Sequence, residues 1–192
     1  PNTNQVKVWD LPIRLFHWSL ASAFVIAYLT EDDWMDLHAY AGYAVTALVL
    51  FRLVWGLIGT YHARFTSFVQ SPSATLAYLT DIALFHPQRY LGHNPAGGAM
   101  VLLLLVSLTV TVITGLFVYG SEESAGPLAE YANQLPHFVN KALEELHEFF
   151  ANFTVFLVFI HVAGVIVESF IHKENLVKSM IDGKKRSDTD SH

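Results

Sequence analysis

The chain contains no cysteine. That absence excludes disulfides, thiolate-ligated haem, iron–sulfur clusters and covalent c-type haem attachment. It says nothing about compartment. Charge is scarce too: charged residues make up 15% of the chain against 53% hydrophobic, and the mean hydropathy is +0.37. Such a composition argues against a soluble globular protein. Basic residues are also missing from particular places. Lys7, Arg14, Arg64, Arg89, Lys173, Lys178, Lys184, Lys185 and Arg186 fall at the N-terminus, in the middle loop or in the tail, whereas only Lys141 occupies the two remaining loops. The positive-inside rule then places both termini and the middle loop in the cytoplasm.

What the chain does have is apolar length. Four stretches, near Leu11–Thr30, His38–Thr60, Gly98–Gly120 and Leu146–His172, can each span roughly 30 Å of hydrocarbon, which needs about 20 residues. The expected fold is an all-α integral membrane protein, a four-transmembrane-helix bundle forming one domain over residues 1–182. Residues 183–192 are expected to form a disordered cytoplasmic tail. The first stretch is short enough to be mistaken for a signal peptide, but Thr30-Glu31-Asp32-Asp33 follows without a convincing cleavage site, so a retained helix is expected. In the middle loop, Ser71-Pro72-Ser73 reads as a cap with proline in the first turn of a short surface helix over Ala74–Phe85. A short helix after Pro136 is expected in the second outer loop. The third span has no histidine and no charge; Ser107, Thr109, Thr111, Thr114 and Gly115 suit close packing, which gives it a scaffold role.

Histidine is the obvious chemical resource, with ten in the chain. His147 and His161 share the last span, fourteen residues apart. On a helix that is a rise of about 21 Å and a net rotation of about 40°, so one face presents two imidazoles at two depths. His38 opens the second span on the outer side, as His147 opens the fourth. His17 lies twelve residues before Leu29, or roughly 18 Å in from the outer end. The four sort into two levels, His38 with His147 outside and His17 with His161 further in. Gly42 and Gly164 each lie one turn from a histidine on the same face, where a missing side chain lets a flat macrocycle approach. Two bis-histidine haems satisfy this arrangement. Zinc does not, because two histidines per level are too few and neither Cys nor carboxylate lies at ligand spacing.

Other residues have weaker claims. Arg52, deep in the second span, suits a haem propionate. Glu168 is a candidate proton carrier or an ordinary interfacial acid. His62, His86 and His93 read as ordinary loop histidines, although His93, with Arg52 and Glu168, is also a candidate for the hydrogen bonds or protons of a quinone near one haem edge. The glycines of Gly92-His93-Asn94-Pro95-Ala96-Gly97-Gly98 do not follow a strand, which rejects a nucleotide-binding loop, and no nucleic-acid partner is expected. Ten carboxylates (Glu31, Asp32, Asp33, Asp36, Glu122, Glu123, Glu130, Glu144, Glu145 and Glu148) face Lys141 alone on the outer side. The topology rule depends little on Asp and Glu, so this excess suits steering of a basic soluble partner.

The segments VWDLPIRLFHW, DLHAYAGYAVTALVLFRLVWG, RYLGHNPAGGAM and ELHEFFANFTVFLVFIHVAGV closely resemble the bacterial cytochrome b561 and nickel–iron hydrogenase b-type cytochrome family. The resemblance spans nearly the whole chain. It implies a four-helix di-haem b-type cytochrome of the bacterial inner membrane, with His17, His38, His147 and His161 as axial ligands. It also implies electron transfer between the quinone/quinol pool and a redox partner on the outer side, for which the acidic face favours a periplasmic c-type cytochrome over a hydrogenase. A superoxide:quinone oxidoreductase is the enzymatic alternative, disfavoured because superoxide is an anion. A membrane anchor or ion transporter with proton-carrying histidines is the non-redox one.

Overall fold

The computed structural model describes residues 5–31 and 33–187; Asp32 and residues 188–192 of the expected tail lie outside the described residues. The elements run β1 (Gln5–Lys7), α1 (Leu11–Leu29), α2 (Met35–Ile58), α3 (Pro72–Ala83), α4 (Pro95–Glu122), α5 (Ala129–Ala132), α6 (His137–Ile171), α7 (Leu176–Asp182) and β2 (Lys184–Arg186), with single 3-10 turns at Tyr61–Ala63 and Phe65–Ser67. Helices α1, α2, α4 and α6 are long and apolar enough to cross a membrane. Their large apolar side chains point outward, as lipid-facing ones should: Leu29 is 76% exposed, Phe159 71% and Phe170 80%. The polar ones turn in, with Ser107 and Thr154 each 1% exposed. This reversal of the soluble pattern follows from the solvent. Lipid accepts hydrocarbon freely and offers no hydrogen bonds, so polar groups must pair inside. The fold is an all-α, four-helix membrane bundle.

Two compact units are distinguished within it. One takes the described residues of Pro1–His17, Arg52–Leu102 and Phe159–His192, the other those of Trp18–Phe51 and Leu103–Val158. Each spanning helix contributes a segment to each unit. In the second unit Val45 and Val49 of α2 pack with Leu108 and Val112 of α4 and with Leu20, Ala23 and Phe24 of α1. The hydroxyls of Ser107 on α4 and Thr154 on α6 join across the helices at 2.7 Å.

In the first unit, Asp10 caps α1 by accepting from the Ile13 amide at 2.7 Å, and its other oxygen takes Trp55 Nε1 at 3.0 Å near the end of α2. Helix α3 starts as expected: the Ser71 hydroxyl accepts from the Ala74 amide at 3.2 Å, with proline in the first turn. It ends two residues earlier than expected, because Phe85 adopts a positive φ of 60° that a helix cannot contain. Leu76 and Leu79 lie outward from it while Tyr78 turns in.

Three expectations need correction. The short helix after Pro136 is the beginning of α6, continuous to Ile171. The segment Lys141–Glu148 holds good helix formers and no glycine or proline, so nothing stops the helix where the apolar stretch ends. His147 therefore sits nearly three turns inside α6 rather than at its start. Helix α2 likewise begins at Met35, leaving His38 within its first turn. The charged stretch from residue 183 is not without structure: Lys184–Arg186 pairs antiparallel with Gln5–Lys7. Gly183, in the left-handed conformation at φ 81°, turns the chain so that its carbonyl accepts from the amides of Val8 and Trp9 at 2.9 and 3.1 Å. Arg14 donates to the carbonyl of Ile181 beside it.

Candidate functional site

In the second unit, α2 and α6 bring His38 and His147 together with ring centres 6.2 Å apart and planes at 82°. Both rings are held by their Nδ1 atoms. His38 Nδ1 lies 2.9 Å from the carbonyl oxygen of Ala27, and His147 Nδ1 lies 2.9 Å from that of Thr111. A carbonyl can only accept, so each Nδ1 carries the proton and each Nε2 keeps a free lone pair. This is the tautomer a metal requires. Helix α4 does more here than the expected scaffolding. It supplies the Thr111 carbonyl, and its Gly115 gives the imidazole room: a Cβ at that position would lie 2.7 Å from Cε1 of His147. At Gly42, one turn from His38, an added Cβ meets nothing within 4 Å.

In the first unit, His17 of α1 and His161 of α6 face each other with ring centres 6.4 Å apart and planes at 55°. Gly164, three residues beyond His161, again has open space where a side chain would be. Arg52 is 3% exposed, its guanidinium 4.7 Å from the centre of the Phe65 ring and 5.8 Å from that of Phe68. Its Nη1 is buried without a hydrogen-bond partner among the described residues, which is costly for a charged donor unless an anion completes the site. His93 is not an ordinary loop histidine. Its ring packs 4.7 Å from that of Trp9 and 4.6 Å from that of Phe68, with Nδ1 also buried and unpartnered. Burial, then the positive charge of Arg52, lowers its pKa to about 3, so the imidazole is neutral at physiological pH.

The ring separations bear on what the pairs can hold. A metal–imidazole bond of about 2.0 Å, plus about 1.1 Å from nitrogen to ring centre, puts two trans imidazole centres about 6.2 Å apart, against about 5 Å at a tetrahedral metal. The observed 6.2 and 6.4 Å fit trans ligands on either side of a flat macrocycle. No cluster of three or more His, Asp or Glu side chains suited to a bare metal ion occurs among the described residues. Residues 8–183 match the profile of the prokaryotic cytochrome b561 family. The chain belongs to that family. Its relatives include proteins named probable Ni/Fe-hydrogenase B-type cytochrome subunit. The one from Cupriavidus necator is 26% identical, with 92% of this chain and 85% of the relative covered. Those from Azotobacter chroococcum and Rhodobacter capsulatus are 25% and 23% identical, covering 93% and 94% of this chain and 87% and 81% of the relatives.

As a member of this family the chain is a multi-pass membrane protein of electron transfer, and the family implies b-type haem as its cofactor. The histidines meet in the two pairs expected from the sequence, His38 with His147 and His17 with His161. Sequence reasoning missed the Ala27 and Thr111 carbonyls, the space at Gly115 and the burial of His93. A carbonyl is present at every residue and carries no signal in the sequence. The His93 position had one available clue, Pro95 and the glycines that follow, which let the chain turn tightly into α4.

Proposed function

We propose that the protein carries two b haems, one between His38 and His147 and one between His17 and His161. It passes electrons between the quinone/quinol pool and a redox partner on the outer side of the bacterial inner membrane, with both termini and the middle loop cytoplasmic. The observation that carries this reading is the pair of imidazole–imidazole separations, both suited to trans axial ligation. Bound haem supplies a one-electron iron couple, and filling both axial positions favours outer-sphere transfer over oxygen binding. The chain's residues do the rest. Ala27 and Thr111 fix the tautomer of the outer ligands through their carbonyls. Arg52 would meet a propionate of the inner haem. His93, neutral and with Nδ1 unpaired, would hydrogen-bond a quinone oxygen beside it. The acidic outer loops suit a basic c-type cytochrome as partner.

Anaerobic mixing with a short-chain quinol tests this, with a basic cytochrome c added as acceptor. Haem reduction followed by reduction of cytochrome c supports it, and haems that stay oxidised contradict it. A second reading, the membrane b subunit of a nickel–iron hydrogenase, is favoured by the names of the relatives. Co-purification with a hydrogenase, and haem reduction by hydrogen in that complex, would select it.

A further inference from the structure

Below the His17–His161 pair, the first unit holds a buried polar chain that ligation does not use. Glu168 lies seven residues after His161, two turns along the same face of α6. It is 9% exposed. Tyr78 of α3, itself 3% exposed, donates its hydroxyl to Oε1 of Glu168 at 2.7 Å. Nε2 of His172 lies 3.2 Å from Oε2. The Tyr78 hydroxyl is also hydrogen-bonded by Asn94, the neighbour of His93 in sequence. Asn94 Oδ1 is occupied by the amide of Gly97 at 2.7 Å, so its NH2 is the group that donates to the tyrosine. Asn94, Tyr78 and Glu168 thus form a hydrogen-bonded line, and His172 Nε2 lies at its end, 3.2 Å from Oε2 but without a hydrogen bond among the described residues, so the last transfer needs a small turn of the imidazole. A glutamine would take the same bond from Tyr78 without the cost of placing a carboxylate at the end of a membrane helix.

We propose that Tyr78, Glu168 and His172 are the proton path of the quinone site beside the inner histidine pair. The proposal rests on the quinone reading above. Oxidation of one quinol to quinone gives two electrons, taken singly by two one-electron acceptors, and two protons. For each proton, Tyr78 passes its hydroxyl hydrogen to Oε1 of Glu168 and takes the quinol's in exchange. Glu168 passes the proton from its carboxyl group to Nε2 of His172, and the imidazolium releases it to water. Quinone reduction runs the same transfers backwards. His93 is held neutral, so it orients the quinone and does not store the proton.

The experiment compares wild type with Glu168→Gln, Glu168→Asp and Tyr78→Phe in the haem-loaded protein. Haem reduction is timed with a short-chain quinol and with dithionite, which supplies electrons without protons from a quinol. Infrared difference spectra record the carboxyl stretch between the oxidised and quinol-reduced states. Glu168→Gln should keep its haem content, visible spectrum and dithionite rate, while the quinol rate falls by about tenfold or more. A protonated-carboxyl band present in wild type should vanish. Glu168→Asp should recover part of the rate, and Tyr78→Phe should slow quinol alone. Unchanged quinol rates in Glu168→Gln and Tyr78→Phe, or equal slowing with quinol and dithionite, overturn the relay. Wild-type haems that quinol does not reduce overturn the quinone reading as well, which separates the two failures.

Discussion

For His147 to hold a haem iron, its second nitrogen must be oriented and its imidazole given room, and here both jobs fall to residues without reactive side chains. The Thr111 carbonyl orients His147, and Gly115 leaves room for the ring. Gly115→Ala puts a methyl 2.7 Å from Cε1 of His147. We predict loss of one haem per chain with the other retained, read as pyridine haemochrome content. Gly42 offers the opposite case, since a larger side chain there meets no protein atom at its Cβ. Gly42→Leu should leave helix content by circular dichroism intact, or raise it slightly because leucine is the better helix former by about 0.8 kcal/mol, yet still exclude the outer haem. Retention of both haems in that variant would mean that the space at Gly42 serves something else. Arg52→Gln removes a buried cation, so the inner haem should become harder to reduce, its midpoint potential falling on the order of tens of millivolts. The histidines were legible in the sequence because helix periodicity fixes their face and depth. Their supports were not, because a backbone carbonyl and an empty volume exist only once helices are packed.

At the scale of elements, the spanning helices were legible for a simple reason: hydrocarbon thickness sets their length. Their ends were less so. Helix α6 runs a further nine residues before Leu146 because charged residues with good helix propensity extend it past the apolar stretch. The strand pair β1–β2 went unforeseen for a related reason. Lys184-Lys185-Arg186 has the composition of a disordered tail, and only pairing with Gln5–Lys7 gives it structure. A carboxylate locks that pairing. Glu174 accepts from the Arg186 amide at 2.7 Å and from Arg89 Nη2 at 2.9 Å. Burial alone would raise its pKa, but these donors and the charges of Arg89 and Lys185 outweigh it and hold the carboxyl below its ordinary value. A depressed pKa gives stability that is fully present above the ordinary carboxylate range and lost as pH falls through the folded value. Glu174→Gln should therefore cost about 1–2 kcal/mol near neutral pH. The gap in thermal midpoint between wild type and variant should close on acidification, and a gap constant with pH would contradict the role given to the ionised carboxylate.

The whole molecule is two histidine pairs carried on shared helices, with acidic residues in the loops between the first and second spans and between the third and fourth and on the helix ends beside them. If those loops steer a basic partner, electron transfer to cytochrome c should slow steeply as ionic strength rises, because screening shortens the reach of surface charge to about 8 Å at physiological salt. Reduction by quinol, a neutral donor, should be nearly indifferent to salt. The claim on which the account turns is the wiring of the two pairs. It is tested most directly by redox-poised visible spectra and haem content for the purified protein and its four single His→Ala variants. The account predicts two b haems per chain, with His38→Ala and His147→Ala removing one and His17→Ala and His161→Ala removing the other. A single haem per chain, or a common loss shared by His17→Ala and His147→Ala, would contradict it.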